Sequence, residues 1–537
     1  MKILQFLKRK ARAKRRRIIR NWRHLKTRDD LEFLPRLNTK LQDCRFDESQ
    51  RGLSSVLLGK HFRLDEISIR QLVHQRRGHI RLFTSVLSQM NSQPISYEMP
   101  KEWIMIARQN GIGVNGFLCT LRWWIYVLAL GGFAFIRLFK IVFMSIFYRN
   151  KLEHQPFAQF MKLSRLGVPQ HTINDTEDSF TIIDWYDRWH GRDATISQLV
   201  HNAYAHPKKA LKNYHLIGQT SEWAPLTFWS GLSVFFWVCF GFVLGCVDLM
   251  RGKWWTMFIL HEAVLLKVIE KADAKYLAKT YMFSHEACSY KPLWTFGAEA
   301  RGARCLIYFY STNSTSVKAA SGHRYFYSAF LTMNWERYLV WTESHKQLLL
   351  KQAGGNPYLE ESHIEVVGPI SFHDGSKTIK KRQRPSIAVF DVSPFRASIY
   401  PILGQAVDYF TPENLNAFLH DISTICHEYD IEVLYKNKRA HKTSTSPSYI
   451  QKVDKLLENG WTLITPEMSA HKVIQVADMV ISYPFTSTAL IAEHLGIPSI
   501  YYDSTGTIQP DDCAMLGASL INSPSDLRHY IHAIFAR

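Results

Sequence analysis

Residues 477–503 read ADMVISYPFTSTALIAEHLGIPSIYYD. Met479–Tyr483 is a short apolar run that ends at Pro484, Thr486–Leu495 has helical composition, Gly496-Ile497-Pro498 stops it, and Ser499–Tyr502 is a second apolar run. The order predicts a strand, a hydroxyl-rich turn, a helix and a strand. Thr486, Ser487 and Thr488 fall where the helix begins. Their hydroxyls and the unpaired backbone N–H groups then point at one spot beyond the strand ends, where the helix dipole and free donors favour an anion such as phosphate. The plain alternative is that these hydroxyls only cap the helix, and the surrounding pattern has to decide.

From Ser386 onward, strand-like runs alternate with amphipathic ones: Ile387–Asp391, Glu413–Glu428, Ile431–Lys436, Ser448–Glu458, Trp461–Thr465, Ala470–Ala477 and then the opening stretch. In the first helical run Leu415, Phe418, Leu419, Ile422, Ile425 and Cys426 share one face at 3.6-residue spacing. Such alternation predicts a parallel, doubly wound sheet that binds ligands at the carboxyl ends of its strands. No GxGxxG follows Ile387–Asp391, which argues against an ordinary dinucleotide dehydrogenase.

Three features carry a resemblance to a known family. A strand follows the link Val366-Val367-Gly368-Pro369, a basic residue closes the second strand, and the last strand–Ser/Thr–helix unit places a Glu before Gly-x-Pro. Together they resemble the C-terminal, donor-binding half of GT-B glycosyltransferases, most of all the branch that builds bacterial surface polysaccharides. The resemblance covers roughly residues 335–537. In that branch the second strand commonly ends in Lys, often as Lys-Pro-His-Pro; here it reads Tyr435-Lys436-Asn437-Lys438-Arg439, with His441 close by, keeping the charge and losing the prolines. Lys436, Ser487, Thr488 and Glu493 match the family's positions, and Thr486 joins them as part of the same turn. The resemblance implies a nucleotide-activated sugar as substrate, with no separate cofactor.

With 537 residues the chain has room for two core-bearing domains, and 46% apolar against 21% charged residues excludes general disorder. A net charge of +20 calls for an anionic partner. Twelve Lys/Arg lie between Lys8 and Arg28 with no acid before Asp29. Nucleic acid is the weaker explanation, because no reading motif is present and the aromatics cluster in apolar runs instead of interleaving with basic residues. An anionic membrane surface is expected instead, each charge near it contributing roughly 1 kcal/mol. The basic run leads into polar sequence, unlike a signal peptide. Eight cysteines without a CxxC pair point to reduced thiols in a cytoplasmic setting, with neither a disulfide framework nor a zinc site.

Two stretches are conspicuously apolar. Trp123–Ile136 carries no charge and continues through Leu138–Phe147 with only Lys140 charged; Trp223–Val247 is uncharged throughout. The second is long enough to cross a hydrocarbon core, while the arginines bounding the first favour an interfacial or re-entrant segment over a simple span. Buried helices of a large domain are the alternative. Trp123, Trp124, Trp223, Trp229, Trp254 and Trp255 near the ends of these runs favour a membrane interface.

In the first half of the chain, Phe180–Trp185 reads as a strand ending in Asp184, with Asp187, Arg188 and His190 nearby. Tyr281–Ser284 reads as another, followed by a helix over Lys291–Ala303 and a strand over Cys305–Tyr310, so His285-Glu286 stands at a strand's carboxyl end. Trp335–Trp341 and Glu361–Ile370 read as passage between the halves. In the enzymes this chain resembles, an acid follows the corresponding strand and a Trp and a Glu occupy the next helix, which singles out Glu286, Trp294 and Glu299, with Ser311 in the closing turn. Glu286 is the expected catalytic base, taking a proton from an acceptor hydroxyl; Asp184 is the second choice, and His285 accompanies them. His261-Glu262 lacks the second His of a zinc hydrolase, and no metal site is expected.

The expected organisation is an α/β chain of two Rossmann-like lobes, GT-B-like, with a basic arm and membrane-associated hydrophobic helices. Residues 1–30 form the arm, 31–150 a helical region with a hydrophobic segment, 151–370 an acceptor-side lobe containing the segment 223–247, 371–385 a linker and 386–537 the donor lobe. The expected activity moves a sugar from a nucleotide-activated donor to a lipid-linked or growing glycan at the cytoplasmic face of the inner membrane. Two rivals stand beside it. One is a teichoic-acid-type polyol-phosphate transferase, for which His285 and His441 are the tempting histidines; the other is a non-catalytic membrane adaptor.

Overall fold

The computed structural model describes residues 36–59, 66–77, 82, 94–148, 155–163, 181–192, 196–201, 215–219, 224–284, 290–312, 330, 332–354, 356–370, 379–395, 409–437, 441, 445–466, 468–508 and 515–535. The basic arm 1–30, Trp223 and most of the 371–385 link lie outside them. In chain order the first half holds α1 (Glu66–Arg77), α2 (Lys101–Gln109), α3 (Gly116–Tyr148), β1 (Ala158–Met161), α4 (Ile182–His190), β2 (Gln198–His201), β3 (Leu216–Gln219), α5 (Phe228–Met250), α6 (Trp255–Lys271), β4 (Thr280–Ser284), α7 (Leu293–Glu299), β5 (Arg304–Tyr308), β6 (Arg337–Val340), α8 (Glu343–Gln352) and β7 (Ile364–Val366). The seven strands form one sheet in the order β3-β2-β1-β4-β5-β6-β7, every pairing parallel.

The second half holds β8 (Ser386–Phe390), α9 (Pro412–Glu428), β9 (Glu432–Lys436), α10 (Pro447–Glu458), β10 (Thr462–Ile464), α11 (Ala470–Val476), β11 (Met479–Ser482), α12 (Thr488–His494), β12 (Ser499–Tyr502), β13 (Leu520–Ile521) and α13 (Pro524–Phe535). Its parallel sheet runs β10-β9-β8-β11-β12-β13. Helices cover both faces, so β8 and β11 are buried along their whole length and read as unbroken apolar runs. Local chemistry agrees with the global arrangement. Thr411 caps α9 by accepting from the Asn414 N–H at 3.2 Å, Pro412 takes the first turn, and the six apolar residues of the predicted face are all buried. The expected two-lobed, GT-B-like α/β fold is what the chain adopts.

Both sheets are wound outward from a central strand, which creates a crevice where the winding reverses. In the first sheet that point lies between β1 and β4, in the second between β8 and β11. Trp341 and Leu348 of the first lobe pack with Leu490 and Leu516 of the second, joining the lobes through a small apolar cluster beside α12.

Several local expectations are corrected. Of the stretch Phe180–Trp185 expected as a strand, Phe180 lies outside the described residues and the rest starts a helix, α4: Thr181 caps it by accepting from the Asp184 N–H at 3.2 Å, and Ile182, Ile183 and Tyr186 bury one helical face. Residues 335–341 are no mere passage: they contain β6, an inner strand of the first sheet. Trp123, Trp254 and Trp255 are core residues, with Trp123 and Trp254 edge to face at 5.1 Å, whereas Trp229 is exposed. Mutual aromatic packing, not an interface with lipid, sets the place of those three.

The two apolar stretches form α3 and α5. Each buries one side, Trp123, Val127, Ala134 and Leu138 on α3 and Val234, Val238, Gly241 and Gly245 on α5, against α6 and its surroundings. Gly241 and Gly245 allow this approach, since a Cβ there would run into Leu260 and Met257. The helix beneath, α6, is buried along nearly its whole length.

Candidate functional site

The strongest candidate lies at the carboxyl edge of the second sheet, where the winding reverses. Phe390 is in register with Lys436 on one side and Ser482 on the other, so the residues after β9, β8 and β11 emerge at one level. Lys436 and the turn after β11 are two strand spacings apart, about 10 Å, with Asp391 between them.

The turn after β11 is Tyr483-Pro484-Phe485-Thr486. The Thr486 N–H donates to the Tyr483 carbonyl at 3.3 Å, Pro484 takes the second position, and Phe485 at the third has φ +64°. This is the pattern of a type II turn, in which the third position normally calls for glycine. For a bulky residue a positive φ costs about 1–2 kcal/mol, and here the neighbours impose it. The Phe485 ring is buried near Tyr409, the Tyr501 hydroxyl donates to the Thr486 carbonyl, and the Tyr483 hydroxyl donates to the Tyr409 carbonyl at 3.0 Å. Tyr409 is tied down in turn, donating to Asp503 Oδ1 at 2.9 Å. Strain held by a surrounding frame marks functional positions more often than chance.

The hydroxyls of this turn divide. Thr486 Oγ1 donates to the Tyr483 carbonyl at 2.7 Å, and Thr488 Oγ1 lies 2.7 Å from Ser482 Oγ, so both side chains build the turn. Ser487, at the start of α12, makes no side-chain capping bond and is half-buried. Of the three expected donor hydroxyls it is the one left to face a ligand. Lys436 is buried, and its Nζ donates to the Asn437 carbonyl at 3.4 Å. Glu493 is exposed toward the far end of α12, one and a half turns from the hydroxyls.

Asp391 is the residue that sequence reasoning missed, since it reads only as the last letter of a strand. It is buried, its Oδ2 accepts from the Tyr435 hydroxyl at 3.0 Å and the Tyr449 hydroxyl at 2.6 Å, and its Oδ1 has no partner among the described residues. Burial pushes its carboxyl up to about 6 despite the two tyrosine donors. Asn437 Oδ1 and His441 Nε2 are buried and likewise without partners among the described residues. Among the described residues no three His, Cys, Asp or Glu side chains gather as a metal site.

In the first lobe, β4 ends at Ser284 beside the other reversal point; His285 and Glu286 follow it and lie outside the described residues. Asp184 is buried at the first turn of α4, where its Oδ2 takes the Thr181 hydroxyl, an occupied capping position and not a free carboxylate. Trp294 packs in the core against Tyr281, centroids 5.0 Å apart, and Glu299 pairs with Lys291 at 2.7 Å. Both do structural work. Ser311 is buried in the turn after β5. Asp187 is pushed up to about 6 by burial, though Arg192 pairs with it at 3.2 Å.

Two doubly wound lobes with a strained, hydroxyl-bearing turn at one reversal point define a two-lobed Rossmann-like protein of the GT-B type. The chain belongs to the family described as polysaccharide biosynthesis PFTS motif protein, which matches residues 233–531, and Pro484-Phe485-Thr486-Ser487 spells that motif inside the turn. No curated protein matches the sequence. Among solved structures, the chain is similar to a putative UDP-N-acetylglucosamine 2-epimerase from Listeria monocytogenes, at TM-score 0.38 and 9% identity, over 71% of this chain and 88% of that one. A glycosyltransferase from Rickettsia africae gives TM-score 0.38 and 11% identity, over 72% and 89%. An Anabaena protein in complex with UDP-glucose gives 0.36 and 10%, over 70% and 88%. Superpositions this loose carry no argument about activity.

Proposed function

We propose that this protein is a membrane-associated glycosyltransferase of polysaccharide biosynthesis. It takes a sugar from a nucleotide-activated donor held by the second lobe and passes it to a lipid-linked or growing glycan docked against the first, at the cytoplasmic face of the inner membrane. The observation that carries the reading is the strained PFTS turn at the reversal point of the second sheet, in a chain whose family is one of polysaccharide biosynthesis. Ser487 and the N–H groups after the turn, with Lys436 across the edge, would receive the donor's diphosphate and stabilise the charge that develops as it leaves, without calling on a metal ion. Glu286 would act as base on the acceptor hydroxyl, His285 beside it. Glu493 is assigned to the donor's sugar or ribose hydroxyls on the family resemblance alone.

The test is a panel of nucleotide sugars and CDP-polyols read by thermal shift, followed by transfer assays. We expect stabilisation by at least one nucleotide sugar, weakened by Lys436→Ala and by Ser487→Ala with the unliganded melting temperature close to wild type. Glu286→Gln is expected to bind donor and lose turnover. Stabilisation by CDP-polyols alone would shift the assignment to a polyol-phosphate transferase, and stabilisation by neither to an adaptor.

A further inference from the structure

We infer that α3 and α5 do not cross a bilayer but lie flat in one leaflet of an anionic membrane, seated by their outer apolar faces. Both helices are long and apolar enough to cross, over 116–146 and 228–250. Connectivity decides against it. Strands β1–β3 precede α5 and β4 follows it, yet β1 and β4 are neighbours in one sheet, Ala158 opposite Thr280. A crossing by α5 therefore requires α6 to cross back.

Protein surrounds α6 in a way that a crossing does not allow. Arg301, just past α7, donates to the carbonyl of Ile269 in α6 at 2.8 Å, and α7 is a crossover helix of the first sheet. Midway along α6, Glu262 is paired with Arg76 of α1 and, at 3.2 Å, with Arg137 of α3. The turn before α6 is tied sideways to the same lobe. Trp254 packs edge to face on Phe46 at 5.8 Å, the Phe46 N–H donates to Glu66 Oε1 at 3.2 Å, and two residues on Ser68 Oγ meets Asn334 Nδ2 at 3.3 Å, just ahead of β6. These steps leave no room for a hydrocarbon core of about 30 Å between the two ends. They also exclude a crossing by α3, because Phe46, Glu66 and Ser68 precede it and connect to the lobe that follows.

What remains is an outer layer whose far side is covered by no other element among the described residues. Of the twenty-one exposed large apolar side chains among the described residues, ten are on α3 and seven on α5. Most recur every three or four residues, as in Ile136, Phe139, Phe143 and Ile146 and in Trp229, Leu232, Phe236, Phe240 and Val243, so each helix carries an outward apolar stripe. A helix apolar on one outer side and anchored to protein on the other suits the boundary between headgroups and acyl chains. Charge names the leaflet: the chain carries +20, twelve Lys/Arg crowd residues 8–28, and Arg122, Lys140 and Arg251 are exposed on or just beyond the two helices. Of the proposed function this shares only the membrane association, and its test involves no sugar transfer.

The full chain is expressed with single added cysteines at exposed sites, Gln109→Cys before α3, Arg251→Cys after α5 and Glu458→Cys in the second lobe, and sealed membrane vesicles of each orientation are treated with an impermeant maleimide. All three are expected to label above the wild-type background in the same orientation. Labelling of 109 and 251 in the orientation opposite to 458 overturns the inference. In flotation with vesicles of phosphatidylethanolamine and phosphatidylglycerol, Phe139→Glu combined with Phe236→Glu is expected to reduce the bound fraction at least tenfold with an unchanged unfolding transition. Undiminished flotation of that variant overturns the inference. So does a wild-type chain that fails to float and forms a dimer dispersed by the same substitutions.

Discussion

The Tyr501 hydroxyl donates to the carbonyl oxygen of Thr486, tying the strand that leaves the PFTS helix back to the turn that enters it. Both residues are buried. Tyr501→Phe keeps the ring and removes one donor, leaving the Thr486 carbonyl unpartnered at a cost of about 1–3 kcal/mol. Because the loss falls on the turn, we expect donor affinity to drop on the order of tenfold. Titration calorimetry with the nucleotide sugar that stabilises the wild type, beside chemical unfolding, checks this. Lower stability with full donor affinity would mean that the tyrosine serves packing alone.

Phe485 gives a prediction of unusual sign. At ordinary helix or strand positions Gly is less stable than Ala, but the φ of +64° reverses the preference. Phe485→Ala loses the buried ring and keeps the backbone strain, while Phe485→Gly loses the ring and relieves the strain. Both variants are expected to be destabilised by roughly 3–5 kcal/mol, with the glycine variant the more stable of the two by about 1 kcal/mol. Urea unfolding of the pair measures the difference directly, and an alanine variant as stable as the glycine one would contradict the strained turn.

The second lobe was largely legible in the sequence because its strands are covered on both faces and its helices on one, so runs such as Ile387–Asp391 and the Leu415–Cys426 face have one reading. The first lobe was less so. FTIIDW has strand composition, and only the Thr181–Asp184 cap reveals the helix. Tryptophans at helix ends look alike whether they meet lipid or one another, and tertiary packing chose for Trp123, Trp254 and Trp255. Within the site, the place of the Thr/Ser turn could be read, but not which hydroxyls it consumes. Asp391 escaped because nothing local distinguishes a buried carboxylate at a strand end from a solvated one; its tyrosine partners are 44 and 58 residues away.

Asp391 ties stability to pH. Its folded value of about 6 lies above the ordinary carboxylate value of 3.8, with burial as the main cause. The stability associated with its protonated form is therefore complete below about pH 4 and is lost as pH rises through about 6. Asp391→Asn, which carries no charge at any pH, should gain on the wild type across that window, by on the order of 2–3 kcal/mol between pH 4 and pH 7.5. Melting temperatures of both proteins at pH 4, 5, 6 and 7.5 test it. A constant difference between the two curves would mean that Asp391 is solvated.

Glu262 carries the opposite dependence. Burial alone would raise its carboxyl, but Arg137 and Arg76, with His261 beside them, hold it well below the ordinary value. The stabilisation is present above about pH 4.5 and is lost as pH falls through the lowered value. The contact also fastens α3 and α1 to α6, so its loss should be felt across the helical layer. Glu262→Gln leaves two guanidinium groups half-buried without their carboxylate, and breaking a buried pair from one side costs about 3–5 kcal/mol. We expect that loss at pH 7 and a smaller one at pH 3, where the unfolded chain already holds this proton while the folded pair stays ionised. Adding Arg76→Met and Arg137→Met to Glu262→Leu should restore much of the stability, because the orphaned charges go with the carboxylate. If the triple substitution proves no more stable than Glu262→Gln, these residues matter for their shape and not for their charge.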